Sequence, residues 1–201
     1  MKYSQSYLRF CEGILSGRRI REAASDRRIA PISRDYRRTF LHAALAAHVA
    51  SWDSYLNSVI REFRQKTRRP LDAEYSIIHS NLEAFVDKSL LKFNTPNWEN
   101  SRNILIECTG YDPINDWKWS RAGLTVTETQ ILLNQILKVR HSFAHGFPIP
   151  SFSWTTTPSG QHRVDARAVA RIETFLSHLA KVTDLGLLTH MKITYPSCGI
   201  W

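Results

Sequence analysis

The sequence predicts an all-α protein: a bundle of five to six helices with a short irregular or hairpin insertion near residues 147–163. Three observations predict it. Apolar residues recur at three- and four-residue spacing over long segments. Capping residues and Pro or Gly stops punctuate those segments. The links between them are short, as in a helical bundle.

Met1 to Ala24 reads as a helix of weak periodicity, followed by a polar, Pro-containing break from Ser25 to Ile32. Ser33 is the expected N-cap of a long helix reaching about Gln65, with Leu45, Val49, Trp52, Leu56, Val59 and Phe63 as one apolar stripe. Pro70 ends it. Asp72 to Lys92 reads as the next helix, with Ile77, Ile78, Leu82, Phe85 and Leu90 facing inward. Thr95 as N-cap and Pro96 at the first helical position predict a short helix that stops at Gly110. A loop carries Trp117 and Trp119. Thr125 and Glu128 then form a capping box that opens a helix ending at Gly146. Asp165 is expected to cap a last helix through Asp184. The expected division is a basic helical extension at 1–32, the bundle at 33–184 and a tail at 185–201.

Composition narrows the function classes. The chain has 201 residues and a net charge of +9. Between Arg18 and Arg69 stand 13 Lys and Arg against 5 Asp and Glu, so most of the excess lies in the first third. Arginine predominates there, which suits bidentate phosphate contacts and a polyanionic partner. Arg34, Arg37, Arg38 and, further on, Lys138 are the expected contacts to such a polyanion, RNA if the motif described below is a guide. A solvated basic face is the bland account of the same charge. Cys11, Cys108 and Cys198 are scattered and odd in number, so neither a disulfide framework nor a zinc site is expected. No apolar run reaches membrane-spanning length, and the amphipathic start does not resemble a secretory signal. A cytoplasmic protein without a membrane partner or cofactor is expected.

The informative segment is Leu132 to Gly146. Leu132, Ile136, Val139 and Phe143 form the core stripe, and Leu133, Leu137, Arg140 and Ala144 the stripe beside it. Asn134, Lys138, His141 and His145 share a polar stripe, with the two histidines four apart. Arg140 and His145 are five apart and diverge by about 140° on a continuous helix. Either the helix unwinds at Ala144-His145-Gly146, or a two-fold dimer sets each helix end against its twin. Attack of a ribose 2′-hydroxyl on its own phosphate needs a base and an acid, and histidine serves as either. A fixed guanidinium stabilises the charge gained in the transition state. No carboxylate cluster accompanies the histidines, so no metal site is expected.

Supporting residues have two accounts each. Asp53, beside the apolar stripe, either orients Arg140 or a histidine or is an exposed acid on a helix flank. His48 is either a packed core residue or one that supports the site from behind. Trp98, Trp117 and Trp119 either stack bases or anchor loops. The Ser142 hydroxyl is expected to bond back to the helix.

The string Leu137-Lys138-Val139-Arg140-His141-Ser142-Phe143-Ala144-His145-Gly146 resembles the Arg-x4-6-His motif of HEPN domains. Phe93 to Asn97, the Gly110 loop, Trp117-Lys118-Trp119 and Trp52-Asp53-Ser54-Tyr55-Leu56 are similar to the RiboL-PSP-HEPN branch, over about Arg34 to Asp184. The resemblance implies a helical bundle, usually dimeric. It also implies metal-independent endoribonuclease activity in many members, often in toxin–antitoxin or antiviral-defence systems. The motif's Arg and His fall on Arg140 and His145. Its polar residue after Arg, more often Asn or Asp, falls on His141, which leaves open which histidine moves protons. Expected partners are RNA, a second copy completing the site, and an antitoxin or defence-system protein. Some members are non-catalytic modules that bind RNA, nucleotide or a protein partner, and that is the alternative reading.

Overall fold

The first helix starts where Ser4 accepts a hydrogen bond from the Tyr7 amide at 2.9 Å, and α1 then runs Gln5–Ala23. It is followed by α2 (Arg34–Thr67), α3 (Ser76–Lys92), α4 (Trp98–Thr109), α5 (Val126–Ala144) and α6 (Ala166–Thr194). The computed structural model describes residues 2–26, 28, 34–68, 75–198 and 201, and the backbone alone at Arg34 and Asp35. The all-helical bundle expected from the sequence is the fold observed, with six α-helices among the described residues. None of them is long and apolar enough to cross a membrane. Ser33, Pro70 and Asp72, named above as boundary signals, lie outside the described residues.

The second helix is the spine. Its 34 residues span about 50 Å at 1.5 Å per residue. Trp52, Tyr55, Leu56, Val59, Ile60 and Phe63 are all buried, and α1, α4, α5 and α6 pack around them. The expected extension 1–32 contains α1, yet α1 buries Phe10 and Ile14 in the same core. Carboxylates from two other helices dock its positive end. Glu62 accepts from the backbone amides of Gln5 and Ser6 at 2.9 and 2.8 Å, and Asp184 accepts from the Ser4 amide at 3.1 Å.

Two glycines let α1 lie close on α2. A Cβ on Gly13 would meet Ser51 Oγ at 2.6 Å, and one on Gly17 would meet the His48 ring at 2.5 Å. His48 is fully buried in this seam, 3.8 Å from Glu173 of α6, which Arg18 engages at 2.5 Å and Arg21 at 3.4 Å. Burial, the larger cause, holds the His48 imidazole neutral down to about 4 from an ordinary 6.5; the Glu173 carboxylate opposes that shift, while Arg21 and Arg18 add to it.

Three expectations are corrected. Of the apolar set assigned to α3, Leu90 is buried as expected, but Ile77, Ile78 and Phe85 are exposed and Val86 is buried in their place, on the side where α3 packs along α4. The N-cap of α4 is Asn97, not Thr95: the Asn97 side chain accepts from the Asn100 amide at 2.8 Å. The Pro96 carbonyl is turned instead toward Trp52 Nε1, which donates to it at 3.3 Å. The last helix does not stop at Asp184 but continues to Thr194, burying Leu187, Leu188 and Met191. Of the two accounts given for Trp117, loop anchoring is the one observed: it is fully buried and donates to Thr183 Oγ1 at 3.0 Å. The capping box of Thr125 and Glu128 is present. The 147–163 segment contains one isolated antiparallel bridge, Thr156 to His162, rather than paired strands.

Replacing Gly17 with Ala raises helix propensity by up to about 1 kcal/mol but drives a methyl into His48. A net loss of about 1–3 kcal/mol in urea unfolding is expected, partly recovered when His48→Ala is added. The His48 pKa is depressed on folding, so the unfolded chain binds that proton more readily. Its contribution is complete above pH 6.5 and is lost as pH falls toward about 4. Unfolding free energy should therefore drop across that window by up to about 1.4 kcal/mol per pH unit from this group, with a shallower slope in His48→Leu.

Candidate functional site

Four apolar residues of α5, Leu133, Ile136, Leu137 and Val139, seat it on the bundle and leave the opposite face to solvent. The helix does not unwind near its end. The His145 amide still donates to the His141 carbonyl at 3.2 Å. Gly146 then turns the chain at φ 69°, with the Phe147 amide returning to the Ser142 carbonyl at 2.9 Å and the Gly146 amide to Phe143 at 3.4 Å. These two bonds are a Schellman closure, and Gly is needed for its left-handed residue. The Ser142 hydroxyl bonds back to the Lys138 carbonyl at 2.9 Å, as its position in the helix suggests.

The closure sets three rings side by side. His141 and His145 lie 4.2 Å apart between centroids, and Phe147 stacks on His145 at 5.8 Å. All three are exposed. Arg140 is also exposed and has no carboxylate within 4 Å among the described residues. Of the two geometries open to Arg140 and His145, unwinding is therefore not the one adopted by the single chain. Lys138 is exposed one turn before His141.

Half-buried on α2, Asp53 accepts from Asn57 Nδ2 at 3.3 Å. Burial pushes its carboxyl above the usual range, and the Arg140 guanidinium pulls the other way. The two side chains thus feel each other's charge without forming an ion pair. His48 does not join this site. It lies five residues before Asp53, about 140° round α2, in the seam with α1 and Glu173. Arg37 and Arg38 are exposed near the start of α2, and the Arg34 side chain lies outside the described residues. Trp98 and Trp119 are half-buried; Trp119 packs on Phe175 and stacks on His178.

One residue that the sequence reading passed over stands beside the site. His42 stacks on Phe143 with ring centroids 3.5 Å apart and planes 8° from parallel. Its Nε2 is buried without a hydrogen-bond partner. Burial, aided by the Arg38 charge, lowers its pKa to about 4, so this ring is neutral at physiological pH. The signal was available: His42 precedes Asp53 by 11 residues, close to three full turns, and follows Arg38 by one turn. Among the described residues no three His, Cys, Asp or Glu side chains are grouped to hold a metal ion.

The arrangement offers a guanidinium, two exposed imidazoles and an exposed aromatic ring at one stiffly closed helix end. The family model described as RiboL-PSP-HEPN matches residues 17–187. That span contains all of α2 to α5 and every residue of the α5 cluster. Comparisons with curated proteins and with solved structures each return no match. The chain, matched over most of its length and folded as a helical bundle, belongs to the RiboL-PSP-HEPN family.

Proposed function

We propose that the chain is a metal-independent endoribonuclease of the HEPN type, acting as a toxin or antiviral-defence effector in the cytoplasm. One observation carries the reading: Arg140 and His141 on the last turns of α5 and His145 at its C-cap are all exposed, and none is in an ion pair among the described residues. A cleft that must receive a phosphodiester needs such unengaged donors.

In the proposed reaction one imidazole takes the proton of a ribose 2′-hydroxyl. The 2′-oxygen attacks the adjacent phosphorus, and the bond to the 5′-oxygen breaks. A second imidazole, protonated, gives its proton to that leaving oxygen. The products are a 2′,3′-cyclic phosphate and a free 5′-hydroxyl. Arg140 stabilises the charge that builds on the non-bridging oxygens. The 140° divergence of Arg140 and His145 is met by a second copy, so that the site is composite. Asp53 biases Arg140 through its charge, and Arg37, Arg38 and Lys138 contact the RNA backbone. An antitoxin or defence-system protein is the expected controlling partner.

A non-catalytic RNA- or nucleotide-binding module is the second reading. It draws on the lack, among the described residues, of any hydrogen bond fixing the Arg140 guanidinium or either histidine ring, since preorganised catalytic groups are usually oriented by a neighbour.

Fluorescent RNA incubated with EDTA should be cut to cyclic-phosphate ends by the wild-type chain. Arg140→Ala and His145→Ala should each lower the rate by about 100-fold or more without altering the fold, since both side chains are exposed. Binding without turnover in the wild type would favour the module reading.

Mixing the two inactive variants tests the composite site. If Arg140 of one copy works with His145 of the other, random exchange rebuilds one site in half of the dimers, or about a quarter of full activity. No recovery after verified exchange would place both residues' function within one chain.

A further inference from the structure

A cavity of about 650 Å³ lies between the first turns of described α2 and the segment that leads into α6. That volume is in the range of about 300–1,000 Å³ usual for small-molecule sites. Arg37 and Arg38 form one wall, His162 and Arg163 the other, with buried Leu41 and Val164 beneath. None of the three guanidiniums is in an ion pair among the described residues. Among the described residues one lining carboxylate opposes them, Asp165, which accepts from the Ala168 amide at 2.7 Å as the cap of α6, so the arginines still outnumber it three to one. Three like charges facing one apolar floor repel one another, and an anion relieves that repulsion.

The far wall is held in place before any ligand arrives. The Arg163 amide donates to the Thr155 carbonyl at 2.8 Å, His162 Nδ1 lies 3.3 Å from Thr156 Oγ1, and Trp154 Nε1 donates to Gln135 of α5 at 2.9 Å. The cavity is also joined to the end of α5. Arg38 is one turn from His42, whose ring stacks on Phe143, two residues before His145.

We propose that this cavity is a phosphate-binding site, taking a nucleotide of a single-stranded RNA that continues from the cleavage point at His145. The proposal rests on the endoribonuclease reading for the origin of the strand. A free nucleotide carries the same chemistry, and the experiment separates the two.

Binding is measured in a His145→Ala chain, which leaves RNA uncut, by anisotropy of labelled single-stranded RNA over a series of salt concentrations. Adding R37A and R163A should make the log K against log salt slope shallower by about 1.4, at about 0.7 per lost phosphate contact, and weaken binding about tenfold at low salt. R37K with R163K should retain most of the slope, since charge rather than shape is removed in the alanine pair. AMP should displace RNA weakly from the parent. If AMP binds as tightly as RNA, and only while the arginines are present, the phosphate site stands and the RNA path is overturned. Unchanged slope and AMP binding in R37A/R163A, or no salt-sensitive binding by the parent, overturns the site. Cleavage by the wild-type chain is read separately: arginine-dependent binding with no cleavage rejects the enzyme reading alone, and cleavage with arginine-independent binding rejects this site alone.

Discussion

Every other feature of the bundle depends on α2 having more than one buried side. Ala44, Tyr55 and Ile60, with Trp52, Leu56 and Phe63 between them, cover roughly 160° of its circumference, an arc too wide for a single neighbour, so several helices must share it. The hydrophobic term is large, at about 1.5–3 kcal/mol for each such side chain, and directionless. What orders the helices around α2 is polar and steric detail. Gly13 and Gly17 admit α1 to close range, Glu62 and Asp184 hold its first turn, and Glu173 gathers Arg18 and Arg21. A buried carboxylate such as Glu173 would cost several kcal/mol alone, so the two arginines are bound to structure and not free for a ligand.

That distinction divides the basic first third of the chain. Composition treats its arginines as one reservoir of charge. In the fold, Arg18 and Arg21 neutralise Glu173, and Arg61 and Arg68 pair with Asp87 and Glu83. Arg37 and Arg38 remain without such partners among the described residues and face the Arg163 wall. A net charge therefore overstates the surface available to a polyanion, and its location is decided by which carboxylates the core has already recruited.

The helices were legible because caps and periodicity are local. Thr125 with Glu128, Asp165, Gly110 and Gly146 act within one or two turns, and each stands where its spacing implies. The misplaced features were those decided by a distant neighbour. An Ile on α3 faces inward only if another helix covers it, and no described helix covers Ile77 or Ile78. Local pattern makes Pro96 a helix start, but its carbonyl serves Trp52, 44 residues away. At the candidate site the same division holds. The α5 cluster follows from spacing on one helix, whereas His48 and Asp53, five apart on α2, go to different seams. Spacing along α2 puts His42 on the face of Asp53, but its stack on Phe143 needs two helices to meet and cannot be read from one of them.

Helix closure sets the strongest constraint on the chemistry. A frayed terminus could swing His145 toward Arg140. Here the amides of His145, Gly146 and Phe147 are all engaged with carbonyls of the last turn, and releasing them costs about 1 kcal/mol for each bond. The histidines also hold each other's company, at 4.2 Å, on the face that Arg140 does not share. Within one chain the cheapest arrangement thus keeps the cation and the imidazoles apart. A partner can converge them without that expense, because rigid ends need only be set opposite one another. The same stiffness that would spoil a one-chain site would give a two-chain site its fixed geometry.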